Sequence, residues 1–104
     1  MEHLEELKRK LEAAGYPVAY RAFPENDAPG LPFICYISRG RDSLYADGVE
    51  YYGYEDVAVE LYTLRRDFGA EKAVEAALAD YRWQKSQEYI DTEGCYVTIY
   101  ETEV

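Results

Sequence analysis

Tyr54-Glu55-Asp56-Val57-Ala58-Val59-Glu60-Leu61-Tyr62-Thr63-Leu64 is the stretch whose reading decides the fold. Successive side chains of an extended strand point to opposite sides. Val57, Val59, Leu61 and Thr63 therefore share one face, and Ala58, Glu60, Tyr62 and Leu64 share the other. Asp67 follows with the side chain of an N-cap, and a second helix is predicted from there through Trp83, with its body at 68–82. Ala70, Ala73, Val74, Ala77, Leu78 and Tyr81 recur at helical spacing as its buried face. Its alanines allow close docking on a sheet.

Working back towards the N-terminus, residues 2–14 read as an amphipathic helix with Leu4, Leu7, Leu11 and Ala14 on one face. Early Glu2, Glu5 and Glu6 and later Lys8, Arg9 and Lys10 suit its dipole, Gly15 ends it and Pro17 prevents continuation. A short strand is predicted at 17–23 and a loop at 24–30. Another strand is predicted at 31–38, apolar on both faces and so central, with Pro32 at its beginning. Segment 39–53 is polar, Tyr-rich and punctuated by glycine, and Asp47-Gly48 suits the turn of a projecting hairpin. Towards the C-terminus, strands at 86–90 and 95–103 flank a turn at 91–94.

This order predicts an α+β fold, an antiparallel or mixed β-sheet with two helices packed on one face, and one domain over 1–104. Leu7, Leu11, Val57, Val59, Leu61, Val74 and Leu78 are the expected core.

Composition agrees with a folded chain. Of 104 residues 48% are hydrophobic and 31% charged, which argues against disorder. Such a chain buries roughly two-thirds of its unfolded surface. No apolar run approaches the roughly 20 residues of a membrane helix, and Met1-Glu2-His3-Leu4 lacks a signal-peptide pattern. A soluble, cytosolic protein without a membrane partner is expected. The net charge of −10 repels phosphate backbones and argues against conventional nucleic-acid binding. It reads either as a solubilising surface or as a surface that passes near DNA without adhering. Twelve tyrosines against three phenylalanines suit strand positions, half-buried surfaces or subunit contacts.

No catalytic constellation is present in the sequence. His3 is the only histidine and lies on a terminal helix. There is no Gly-x-Ser-x-Gly elbow and no phosphate loop. Adjacent acids such as Glu5-Glu6 and Glu55-Asp56 diverge and do not aim two carboxylates at one metal. Cys35 and Cys95 lack metal spacing and are expected to be buried, reduced thiols. No enzyme, metal or cofactor is expected.

Several segments together carry a resemblance: Gly15-Tyr16-Pro17-Val18-Ala19-Tyr20, Leu31-Pro32-Phe33-Ile34-Cys35-Tyr36, Tyr45-Ala46-Asp47, Val59-Glu60-Leu61-Tyr62-Thr63 before Arg65-Arg66-Asp67, and Tyr89-Ile90-Asp91 with Tyr96-Val97-Thr98-Ile99-Tyr100-Glu101. The chain resembles, over nearly its whole length, the tail terminator or head–tail joining (tail completion) proteins of Firmicutes phages and prophages. The resemblance implies a small structural subunit that forms a ring, commonly hexameric, on the tail tube. The implied partners are other copies of itself, the tail tube protein, head connector proteins and DNA passing without specific binding. The implied location is the bacterial host cytoplasm during assembly, and then the virion. Within 39–53, Arg39, Arg41, Asp47, Glu50, Tyr51 and Tyr52 are the candidate contact residues, because Tyr and Arg are enriched at interface centres. A mobile surface loop is the plainer reading of the same segment. A small-ligand or regulatory module with a Tyr-lined pocket is the alternative function.

Overall fold

The computed structural model describes residues 2–46 and 49–104, with side chains described outside positions 2, 25 and 41–54. The first helix, α1, spans Glu2–Glu12, and Leu7 and Leu11 on its inner face are fully buried. Gly15 adopts φ +96, a conformation glycine takes without steric cost, and turns the chain towards the sheet. Strand β1 is Val18–Tyr20, β2 is Phe33–Ala46 and β3 is Val49–Thr63. Helix α2 spans Phe68–Ala77, followed by β4 at Trp83–Ile90 and β5 at Cys95–Glu103.

The five strands form one mixed sheet in the order β1-β2-β3-β5-β4. β1 runs parallel to β2, and the other neighbours are antiparallel. Leu7 and Leu11 of α1 and Ala70, Val74 and Leu78 of the α2 region share a core with Ile34, Tyr36, Val57, Val59, Leu61 and Tyr100. Both helices therefore cover the same sheet face, as the alternation along β3 requires. Phe33, Cys35, Glu60, Tyr62 and Val97 belong to the opposite face by strand parity.

Several boundaries differ from the sequence reading, and α1, predicted over 2–14, already ends at Glu12. The helix predicted through Trp83 ends at Ala77, with Leu78 as its C-cap at φ −96 and ψ 13. Trp83 instead opens β4, pairs with Thr102 and packs edge-on against Tyr100 at 5.3 Å. Continuing the helix would lift this indole off the core. β4 accordingly begins at Trp83 rather than at 86. β1 covers three residues rather than 17–23, because Arg21 turns out of the strand at φ +74. β2 begins at Phe33 and does not stop at 38. It runs on to Ala46, so the expected hairpin is a prolongation of β2 and β3 rather than a separate element.

Asp67 caps α2 as its residue type predicts. Its side chain accepts a hydrogen bond from the Ala70 amide at 3.0 Å.

Candidate functional site

The prolongation of β2 and β3 is an arm. β1 pairs with β2 only as far as Tyr36, and β5 pairs with β3 only as far as Asp56. Val104 still bonds the Glu55 backbone, and beyond it, among the described residues, the two strands pair only with each other, from Asp42–Tyr54 to Ala46–Val49. Residues 42–46 at about 3.3 Å rise each carry the ribbon roughly 17 Å beyond the sheet. The arm draws the molecule out to 50 × 27 × 24 Å, with a radius of gyration of 14.9 Å. A compact chain of this size has about 13 Å.

Two irregularities frame the arm. Ser38 pairs with Val57 and Gly40 with Asp56, which leaves Arg39 as an extra residue at the base. Leu44 pairs with Tyr52 and Tyr45 with Glu50, which leaves Tyr51 as an extra residue near the tip. Gly40 has φ +151, a backbone few L side chains adopt, and this lets β2 pass through the first bulge. Bulges of this kind locally raise the twist of a ribbon.

The base is anchored on three sides. Arg39 lies 3.6 Å from Glu101 of β5. The Ser38 hydroxyl donates to Glu55 Oε2 at 2.5 Å, and the Tyr20 hydroxyl accepts from the Ser38 amide at 3.2 Å. Glu55 and Val104 exchange two backbone hydrogen bonds of 2.9 Å. Beside this base, Arg39, Asp56, Arg82, Trp83, Glu101 and Glu103 help to line an open groove of about 940 Å³.

Of the six predicted contact residues, Arg39 is exposed at the base. Arg41 lies opposite Glu55, Glu50 opposite Tyr45 and Tyr52 opposite Leu44, while Tyr51 is the bulge residue. Asp47, and the Asp47-Gly48 turn with it, lies outside the described residues. The backbone thus gathers Arg39, Arg41, Glu50, Tyr51 and Tyr52 on one projecting ribbon.

A second groove lies at the other end of the sheet, on its helix-free face. Phe23, Leu31, Phe33, Tyr62 and Ile90 line about 530 Å³ together with Cys35, Cys95 and Arg21. Tyr62 is its one tyrosine, so it is not the Tyr-rich pocket of the ligand-binding alternative. Burial raises the Cys35 thiol to about 11. It also raises the Cys95 thiol. Both thiols are free.

The sequence reading missed a charged cluster between α2 and the sheet. Glu71 is almost wholly buried and accepts from Lys85 at 2.7 Å, Arg66 Nε at 3.1 Å and Gln87 Nε2 at 3.3 Å. Lys85 also reaches Glu75 at 2.7 Å, and the Tyr100 hydroxyl donates to Glu75 at 2.9 Å. Burial alone would raise the Glu71 carboxyl, but the Arg66 and Lys85 hydrogen bonds outweigh it and hold the group below its ordinary range. The signal lay in spacing. Glu71 and Glu75 share a helix face, while Lys85 and Gln87 lie between Trp83 and Tyr89 on one strand face. The cluster fastens α2 to β4. Among the described residues no group of His, Cys, Asp and Glu is placed to hold a metal ion. No helix is long and apolar enough to cross a membrane among them.

No protein-family model and no curated protein matches the sequence. Among solved structures, the chain is similar to a chain from the virion of a native gene transfer agent (GTA) particle. The TM-score is 0.63 at 14% identity, over 94% of this chain and 90% of that one. At this identity the likeness shows a shared fold.

Proposed function

We propose that this chain is a one-domain structural subunit of a phage-like particle, a tail terminator or head–tail joining protein that closes into a ring. One observation carries the reading: the fold matches a virion chain from end to end, with neither chain left with a large unmatched part. The arm supports it. A two-stranded ribbon is marginally stable alone in water, so one that projects roughly 17 Å from its sheet is suited to lie against a neighbour. Ring contacts are heterologous, so the arm of each subunit meets a different surface of the next. Six subunits is the number that the resemblance to phage tail terminators implies. The net charge of −10 suits a passage through which DNA moves without adhering. The tail tube protein and the head connector are the partners on the two sides of the ring. On this reading the chain is not an enzyme, and it works in the host cytoplasm during assembly and then in the virion.

The test is mass measurement in solution at several concentrations, followed by negative-stain imaging. The expected result is a closed oligomer with a central opening. A monomer at every concentration that also fails to join tails to heads would reject the proposal.

A further inference from the structure

We infer that the groove lined by Phe23, Leu31, Phe33, Tyr62 and Ile90 is the seat for the arm of a second copy of this chain. The inference rests on the ring reading above and supplies the acceptor surface that reading lacks. The groove lies where β2 begins, at Phe33, and the arm tip lies where β2 ends, at Ala46. That separation is roughly 40 Å of strand, nearly the full 50 Å length of the molecule, so a subunit's own arm cannot reach its own groove. A contact between opposite ends is heterologous and propagates from copy to copy, which a closed ring requires.

The chemistry of the two ends is complementary. The groove lies on the sheet face that neither helix covers, and its lining is mostly aromatic and aliphatic. Leu31 is 36% exposed at its edge. Exposed apolar area of this kind marks interaction surfaces. The arm supplies large amphipathic side chains, with Leu44, Tyr45, Val49, Tyr51, Tyr52 and Tyr54 in its sequence.

Charge points the same way. Arm residues 41–54 carry Asp42, Asp47 and Glu50 against Arg41. Arg21 lines the groove, is exposed and makes no ion pair among the described residues. In a chain of net charge −10 an unpaired surface arginine has abundant acidic groups to choose from, and this one is held at φ +74 on the edge of an apolar groove. Such non-glycine outliers concentrate at binding sites. Glu93 also lines the groove, and Arg21 supplies the cation that an acidic arm needs there.

Complementation tests this directly. Tyr51→Ser/Tyr52→Ser disables the arm and leaves the groove intact. Leu31→Asp with Arg21→Glu disables the groove and leaves the arm intact. Each variant alone should associate at least roughly tenfold more weakly than wild type, the scale of opposed or unpaired groups at an interface. Mixed, they should form a one-to-one dimer and nothing larger, because one working contact remains. Should the groove variant not fold, judged by circular dichroism, Tyr51→Cys protein mixed with Leu31→Cys protein, both carrying Cys35→Ala and Cys95→Ala, replaces it. A disulfide-linked dimer should then form in the mixture and in neither protein alone. If wild type forms a ring while the groove variant assembles equally well, or the two cysteines fail to link, the seat is wrong and the ring reading stands. If wild type never associates, both fall.

Discussion

Arg39 and Tyr51 hold equivalent positions on opposite strands: each is the unpaired residue of a β-bulge, one at the base of the arm and one near its tip. Bulges break the simple two-sided alternation of a ribbon and increase its local twist. Both residues are of types concentrated at interface centres. The arm is thus irregular where a contact surface gains most from irregularity, while the sheet below it keeps a regular register from Asp56–Glu103 to Thr63–Tyr96.

The arm should be dispensable for folding. Tyr51 and Tyr52 lie beyond the last β3–β5 pair, away from the core shared by α1, α2 and the sheet. Replacing both with Ser is expected to change unfolding free energy by about 1 kcal/mol or less, the range of surface substitutions. Assembly, read as tail joining or ring formation, should be lost. Normal joining by this variant removes the arm from the interface.

Leu61 should be indispensable. It is fully buried at the centre of β3, in the cluster that receives both helices. Leu61→Ala leaves a cavity there and is expected to cost about 2–5 kcal/mol in denaturant unfolding. A change within error of zero would contradict the packing of the helices on this face.

Acid should loosen the attachment of α2. Glu71 and Glu75 are held below their ordinary value of 4.5 by Lys85 and its neighbours, against the opposing effect of burial. A carboxyl lowered on folding stabilises fully above its unfolded value, and that stability drains away as pH falls through the folded value. The melting temperature should therefore drop below about pH 4.5. Lys85 is raised by Glu71 and Glu75 despite burial, so its contribution is lost only as pH climbs beyond its ordinary 10.5. Lys85→Met should cost about 1–3 kcal/mol at neutral pH and flatten the acid slope. An unchanged slope would remove this cluster from the acid transition.

The cysteines should be slow reporters. Cys35 is buried, with its thiol raised to about 11 by that burial. Little thiolate is then present at neutral pH, and thiolate is the reacting form. Cys35 and Cys95 should both react slowly with a thiol reagent in the native protein and rapidly after unfolding. Rapid native titration of both would contradict their placement in the sheet.

The fold was legible where local chemistry decides it. Alternation at Val57, Val59 and Leu61 and the cap at Asp67 are read from neighbouring residues alone, and each stands where it was expected, whereas α1 stops at Glu12, short of Gly15. The end of α2 was not legible, because residues 79–83 remain compatible with a helix. Its true limit depends on Trp83 reaching Tyr100, a contact across 17 residues of sequence. The two strands of the arm were legible from Leu44-Tyr45-Ala46 and from Val49 onward. Its bulges were not, since a bulge exists only relative to the register of a partner strand. The groove is assembled from the loop after β1 and strands β2 to β5, and no single stretch announces it.

The central claim is that copies of this chain close into a ring through their arms. Native mass spectrometry of wild type beside Tyr51→Ser/Tyr52→Ser tests it most directly. The account predicts one closed species of fixed stoichiometry for wild type and a folded monomer for the variant. A wild type that stays monomeric at every concentration, or a variant that assembles to the same closed species, would contradict it.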